Sequence, residues 1–311
     1  MLIRLSDRGR AGAILRCAAA IAAALLAAIF LAACSSTSDG GAGSTGSNGT
    51  GGSGGASENE GEDLRVVALD WRYEEILEAL GVQPVGIVEI GKSAGPTTLE
   101  GKLDGITSVG EAKQPNLEVI QSLHPDLILA SPSRHESIIP QLEQIAETES
   151  YSDATYTDVL DSMDQIAAKL GKQDEAKQMR GRIEQKIVDA KAKVPDGTRA
   201  VVAGWSSQML YTWIGNSFPA SLLTAAGYTY GYEGERSNIE SKTDVAELTG
   251  DKIADMNLDK AYMYKDADEF KATPYAQAVP QIVEVDQDIW SRARGPLSAE
   301  SMLDTIIETE K

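Results

Sequence analysis

Three arginines stand where binding chemistry could be done. Arg134 lies in Ser131-Pro132-Ser133-Arg134-His135-Glu136, directly after the apolar run Leu127-Ile128-Leu129-Ala130. Arg292 and Arg294 follow Trp290, just beyond an expected strand at 282–285. A guanidinium stays charged and offers a planar fork of donors, which suits anionic oxygens taken two at a time, as in a carboxylate. In open α/β sheets, ligands sit outside the carboxyl ends of the strands. The alternative at Arg134 is a plain solvated side chain. Arg292 and Arg294, two apart, would project from one face of an extended segment, with at least one in a cleft. Either could instead pair with Asp286 or Asp288. Arg236, in the loop 228–238 rich in glycine and tyrosine, is a fourth candidate.

Flat walls would have to accompany such a clamp. Aromatic residues make up 5% of the chain, yet all four tryptophans fall at expected strand ends or just beyond them. Core packing alone would not gather them at one edge, whereas a stacking cleft would. Trp71, Trp205 and Trp213, with Tyr211 and Tyr230, are the candidate walls, and Trp290 is read as structural.

Other chemistries find little support. His124 and His135 are too far apart to suggest a metal site; the first is expected at a helix end, the second at the surface or behind the ligand contacts. Gly204-Trp205-Ser206-Ser207-Gln208 lacks the flanking glycines of a nucleophile elbow. No phosphate-cradling glycine loop is present, and Asp286 with Asp288 lacks partner chemistry. The reading is a binding protein with no catalytic residue, no cofactor and no metal ligated by the protein itself.

Composition and the amino terminus set the compartment. Arg4, Arg8, Arg10 and Arg16 precede an apolar stretch ending in Leu31-Ala32-Ala33-Cys34. This is the layout of a secretory signal over 1–33, and its end resembles a bacterial lipobox, with Cys34 as the lipidated residue. Cys17 leaves with the signal, so the mature domain keeps no thiol for a disulfide or a nucleophile. Residues 34–63, dominated by Gly, Ser, Thr and Asn, read as a flexible tether. The formal charge is −19, and removing the signal's four arginines and Asp7, a net +3, leaves about −22. Such acidity argues against nucleic acid and makes any gathering of arginines conspicuous.

The elements that must position these groups alternate. The pattern predicts strands at 65–69, 84–88 and 126–130, with helices at 70–80, from 116, and near 136–146. Gly81 is a stop signal and Asn116 an N-cap. From 158 to 194 the signal is helical throughout; 174–193 is charged over most of its circumference, as expected of a helix bridging solvent between domains. Strands return at 201–205, 209–213, 260–264 and 282–285, with helices near 219–226, 252–256 and 296–307. The expected fold is α/β: two Rossmann-like lobes with mainly parallel sheets, at 64–157 and 198–311, joined through a helical segment at 158–197 that includes one long connecting helix. Ligands of such proteins sit in the cleft between lobes.

Four stretches carry a family resemblance: 64–86 (LRVVALDWRYEEILEALGVQPVG), 115–146 (PNLEVIQSLHPDLILASPSRHESIIPQLEQIA), 215–230 (GNSFPASLLTAAGYTY) and 285–305 (VDQDIWSRARGPLSAESMLDT). In this order they resemble the iron–siderophore-binding lipoproteins that serve ABC importers, a group shared with vitamin B12 and haem binders. Two positions depart from that pattern: Ile139 stands where tyrosine is usual, and Glu147 replaces the proline of an IAPT motif. The resemblance implies the class III periplasmic-binding fold, a monomer, and an Fe(III)–siderophore held by Arg134, Arg292 or Arg294 and handed to a permease. It implies a lipid-anchored position outside the cytoplasmic membrane. It also places Glu136 where the vitamin B12 member docks on permease arginines, although a first-turn glutamate favoured by the helix dipole explains it equally well. Glu247 or Asp251 would be its counterpart. The alternatives on the same fold are a cobalamin or haem binder, or a non-transport sensor or adhesive lipoprotein.

Overall fold

The computed structural model describes residues 64–93, 95–235 and 244–310. The signal, Cys34, the tether and Arg236 lie outside the described residues.

The first sheet begins with the apolar β1 (Val66–Ala68), followed by α1 (Trp71–Ala79). Asp70 caps that helix by accepting from the Arg72 amide, and Gly81 closes it with φ 67°. Then come β2 (Gly86–Glu89), β3 (Thr107–Glu111), β4 (Gln114–Pro115) and α2 (Leu117–Ser122). Asn116 caps α2 as its sequence position suggests. The fully buried β5 (Leu127–Ala130) leads into α3 (Pro132–His135), α4 (Ile139–Leu142) and β6 (Glu147–Ser150). The strand order is β4-β3-β2-β1-β5-β6, parallel except for the β3–β4 hairpin.

The single helix expected near 136–146 is two short ones. Pro132 starts the first turn early, and Pro140 has no amide to give the carbonyl of Glu136, so the turns do not merge. Arg134 therefore sits on a helical turn, and Glu136 ends that turn instead of opening a helix.

Two helices lead to the second sheet: α5 (Tyr156–Leu170), with a Thr155–Asp158 capping box, and the long α6 (Gln173–Lys191). The charged α6 does not stand free in solvent. Ala176, Met179, Ile183 and Ala190 form a narrow buried stripe packed on α5 and on the closing helix.

The second sheet comprises β7 (Arg199–Ser206), β8 (Met209–Trp213), β9 (Thr229–Tyr230), β10 (Val245–Thr249), β11 (Lys260–Lys265) and β12 (Gln281–Glu284). Between them lie α7 (Phe218–Ala225), α8 (Lys252–Asp255) and α9 (Ala267–Lys271), and the chain closes with α10 (Pro296–Thr309). The order is β10-β8-β7-β11-β12 with β9 beside the start of β7; β7, β9, β11 and β12 are parallel, and β8 and β10 join antiparallel. The architecture is thus two mainly parallel sheets linked by helices.

Beyond β12 the chain is not extended. Asp286 accepts from the amides of Asp288 and Ile289 and so opens a wide helical turn over Asp288–Ala293. Arg294 follows in the left-handed region at φ 55°.

One junction ties α1 to α10. The Glu75 carboxyl is fully buried and accepts from Thr98 Oγ1 (2.6 Å), Ser298 Oγ (2.5 Å) and the Ser298 amide (2.9 Å). It thereby occupies the amino-terminal turn of α10, where unpaired amides favour a carboxyl group. Any Cβ at residue 295 would lie 2.3 Å from Glu75 Oε2, so the approach requires Gly295.

Candidate ligand-binding site

The carboxyl ends of the parallel strands meet at one cleft of about 450 Å³. Residues after β5 supply Arg134, the ends of β7 and β11 supply Ser206 and Lys265, and the turn after β12 supplies Arg292 and Arg294. Strand alternation decides which side chains face it: Gly204 and Ser206 line the cleft, while Trp205 between them points the other way. A Cβ on residue 204 would lie 2.7 Å from the Tyr264 ring, so glycine lets that ring lie close over the strand.

Five cations line this cleft, Lys113, Arg134, Lys265, Arg292 and Arg294, and among the described residues no carboxylate does. The acids stand behind the arginines. Asp70, fully buried, pairs with Arg134. Asp153 Oδ2 lies 3.2 Å from Arg294 Nη1 and 2.7 Å from Nη1 of a fourth arginine, the fully buried Arg72. Asp288 Oδ1 pairs with Arg292 at 2.7 Å, while its Oδ2 accepts from Ser93 of the first sheet's side. Four guanidinium groups thus share three carboxylates, before the two lysines are counted.

That crowding shows in the titration of the groups. Burial pushes the Asp70 carboxyl up, but the charges of Arg134, Arg72 and Arg294 outweigh it and hold the pKa below the usual value. Asp70 supports the Arg134 charge, whereas burial and the like charges of Arg294 and Arg72 pull that guanidinium below its ordinary range. A bound polyanion would relieve this repulsion. The walls suit an organic body: Tyr211, Trp213 and Tyr264 line the same space, and the Trp213 indole N–H has no partner among the described residues.

The other expected wall residues lie elsewhere. Trp205 is fully buried, its ring 5.4 Å from Phe270 and 6.1 Å from Tyr275, so core packing takes the place of stacking on a ligand. Tyr230 is buried and donates to the Trp213 carbonyl at 2.8 Å, supporting the wall from behind. Trp71 is buried in the first sheet's core and borders a separate crevice beside 95–104. Trp290 stacks on Tyr262 in the core, 4.5 Å between ring centres. His135 is fully buried instead of at the surface. Its Nδ1 accepts from the Ser131 amide (2.9 Å), its Nε2–H donates to the Ala112 carbonyl (2.6 Å), and burial lowers its pKa. It thereby braces the turn that carries Lys113.

Glu136 and Asp251 are exposed, and Glu247 is half-buried on β10, accepting from the Tyr211 hydroxyl at 3.2 Å. No group of three or more potential metal ligands occurs among the described residues.

A two-sheet α/β protein whose strand ends converge on one cationic, aromatic-walled cleft is built to bind a solute. The chain belongs to the periplasmic binding protein family, whose profile matches residues 66–281. It is 31% identical over 304 residues to the Fe(3+)-citrate-binding protein YfmC of Bacillus subtilis, covering 91% of this chain and 94% of that one. With the Fe(3+) dicitrate-binding periplasmic protein FecB of Escherichia coli it shares 29% over 256 residues, covering 76% and 81%. Among solved structures it resembles Staphylococcus aureus SirA complexed with staphyloferrin B, with TM-score 0.67, 24% identity, and 81% and 94% of the two chains covered.

Proposed function

We propose that this protein captures a ferric siderophore of carboxylate type in the inter-sheet cleft, outside the cytoplasmic membrane, and delivers it to an ABC permease. The observation that carries this reading is the lining: among the described residues, five cations and no carboxylate face one cleft, in a chain of net charge −19. A ferric siderophore already fills the iron's coordination sphere, so the protein has to meet its peripheral anionic oxygens and its organic body. Arg134, Arg292 and Arg294 serve the first task, and Tyr211, Trp213 and Tyr264 the second. Each charge-assisted contact contributes about 1.5–3 kcal/mol. The names of YfmC and FecB support a citrate-like ligand.

Cys34 anchors the protein through lipid, and residues 35–63 form the tether. Glu136 and Asp251 are the permease contacts we favour, because both are exposed while Glu247 is half-buried. Replacing Glu136 and Asp251 by alanine should abolish uptake and leave ligand affinity unchanged.

The test is titration of intrinsic tryptophan fluorescence with ferric carboxylate, hydroxamate and catecholate complexes. Quenching should be strongest and tightest with the carboxylates. Tight binding of cobalamin or haem, with none of the ferric complexes bound, would overturn the proposal.

A further inference from the structure

Beyond its distant support of the Asp70 carboxylate, Arg72 carries a buried charge with almost no hydrogen bonding to hold it. Its side chain is fully buried on α1, and all three guanidinium nitrogens lack a hydrogen-bond partner among the described residues. Compensation comes from the Asp153 carboxylate at 2.7 Å, off hydrogen-bonding geometry, and from the Tyr73 ring, 4.4 Å from the guanidinium carbon. A buried pair of this kind adds little stability over an apolar pair of the same volume. Its effect on its neighbours is another matter.

The same Asp153 oxygen lies 3.2 Å from Arg294, which lines the cleft. Asp153 follows β6 of the first sheet, and Arg294 follows β12 of the second. The carboxylate is therefore shared between an arginine sealed in the interior and one at the ligand surface. An incoming anion competes with Asp153 for Arg294. Without Arg72, success in that competition would strand a carboxylate that is largely buried, so Arg294 would stay with Asp153.

We propose that Arg72 is a positioning residue that holds Asp153 so that Arg294 can exchange it for a carboxylate of the bound ferric complex. The inference rests on the carboxylate reading of the cleft. It makes the apparent affinity depend on a side chain that never meets the ligand. It also predicts that Arg72 and Asp153 act as one unit, since removing the carboxylate removes the need for its keeper.

A double-mutant cycle tests this, with ferric citrate as the probe and thermal melts recorded beside the titrations. Arg72→Met should weaken binding about tenfold, the scale of one charge-assisted contact withheld. Asp153→Asn frees Arg294 and should bind at least as tightly as wild type. The double variant should bind like Asp153→Asn, within about threefold. A double variant as weak as Arg72→Met would overturn the proposal, as would unchanged affinity in Arg72→Met. Should either single variant not fold, the charge-neutral double variant decides: affinity more than about threefold below wild type contradicts the exchange. A wild-type protein that ignores every ferric carboxylate would instead overturn the ligand reading itself.

Discussion

Replacing Glu74 by glutamine should stabilise the protein at and above neutral pH and change little in acid. Glu74 is 2% exposed, and its Oε1 accepts from the Val88 amide at 3.1 Å. Burial, opposed by that amide and aided by the charges of Asp70 and Glu75, pushes its pKa from the ordinary 4.5 up to about 8. In the unfolded chain the group ionises near its ordinary value, so between the two values the folded protein holds the extra proton. Stability contributed by the neutral acid is complete below about pH 4.5 and drains away as pH rises through about 8. The interval corresponds to about 5 kcal/mol above pH 8 and about 3 kcal/mol at pH 7. Glutamine keeps the volume and the acceptor but cannot ionise. Melting temperatures of the two proteins should nearly coincide at pH 4 and separate by about 6–12 °C at pH 7, with the variant higher. Parallel pH profiles would refute the reasoning, because they would mean that Glu74 is not buried as a neutral acid.

Arg134→Ala should cost about 3–5 kcal/mol of stability by leaving the Asp70 carboxylate buried without its main partner, and weaken ferric-complex binding at least about tenfold. Adding Asp70→Asn should restore the melting temperature but not the affinity, separating the two roles in one set of melts and titrations. Because Arg134, Arg72 and Arg294 hold the Asp70 pKa below 3.8, the stability it provides is present above that value and lost as pH falls through the lower one. Asp70→Asn should therefore flatten the acid limb of a denaturation profile below about pH 4. Ligand-induced quenching should largely vanish in Trp213→Phe and persist in Trp205→Phe, as their cleft and core placements require.

Much of the scaffold is legible in the chain because local and global signals agree there. Helix α1 shows it: an N-cap at Asp70, apolar residues at helical spacing and a stop at Gly81 all speak for the same element. The strand Glu147-Thr148-Glu149-Ser150 gives no such sign, since a half-exposed edge strand has no apolar alternation to reveal it. Arg134, Arg292 and Arg294 could be placed at the cleft because strand ends predict loops, and the same rule applied to β11 would have found Tyr264 and Lys265. Lys113 sits in a tight hairpin with no pattern of its own. Trp205 misleads because proximity to a strand end says nothing about which face a side chain takes; a single step of alternation sends it into the core. The pairing of Arg72 with Asp153 and Arg294 joins residues far apart in sequence, so only the folded chain displays it.

The measurement that tests the account most directly compares two ferric complexes of similar size, one a polycarboxylate trianion and the other a neutral hydroxamate, titrated at low and high salt. A cleft whose charged lining residues are all basic should prefer the trianion by about a thousandfold or more, three charge-assisted contacts of at least about 1.5 kcal/mol each against none. Raising the ionic strength should narrow the gap. Equal affinity for both complexes at either salt concentration would contradict the claim that surplus guanidinium charge selects the cargo.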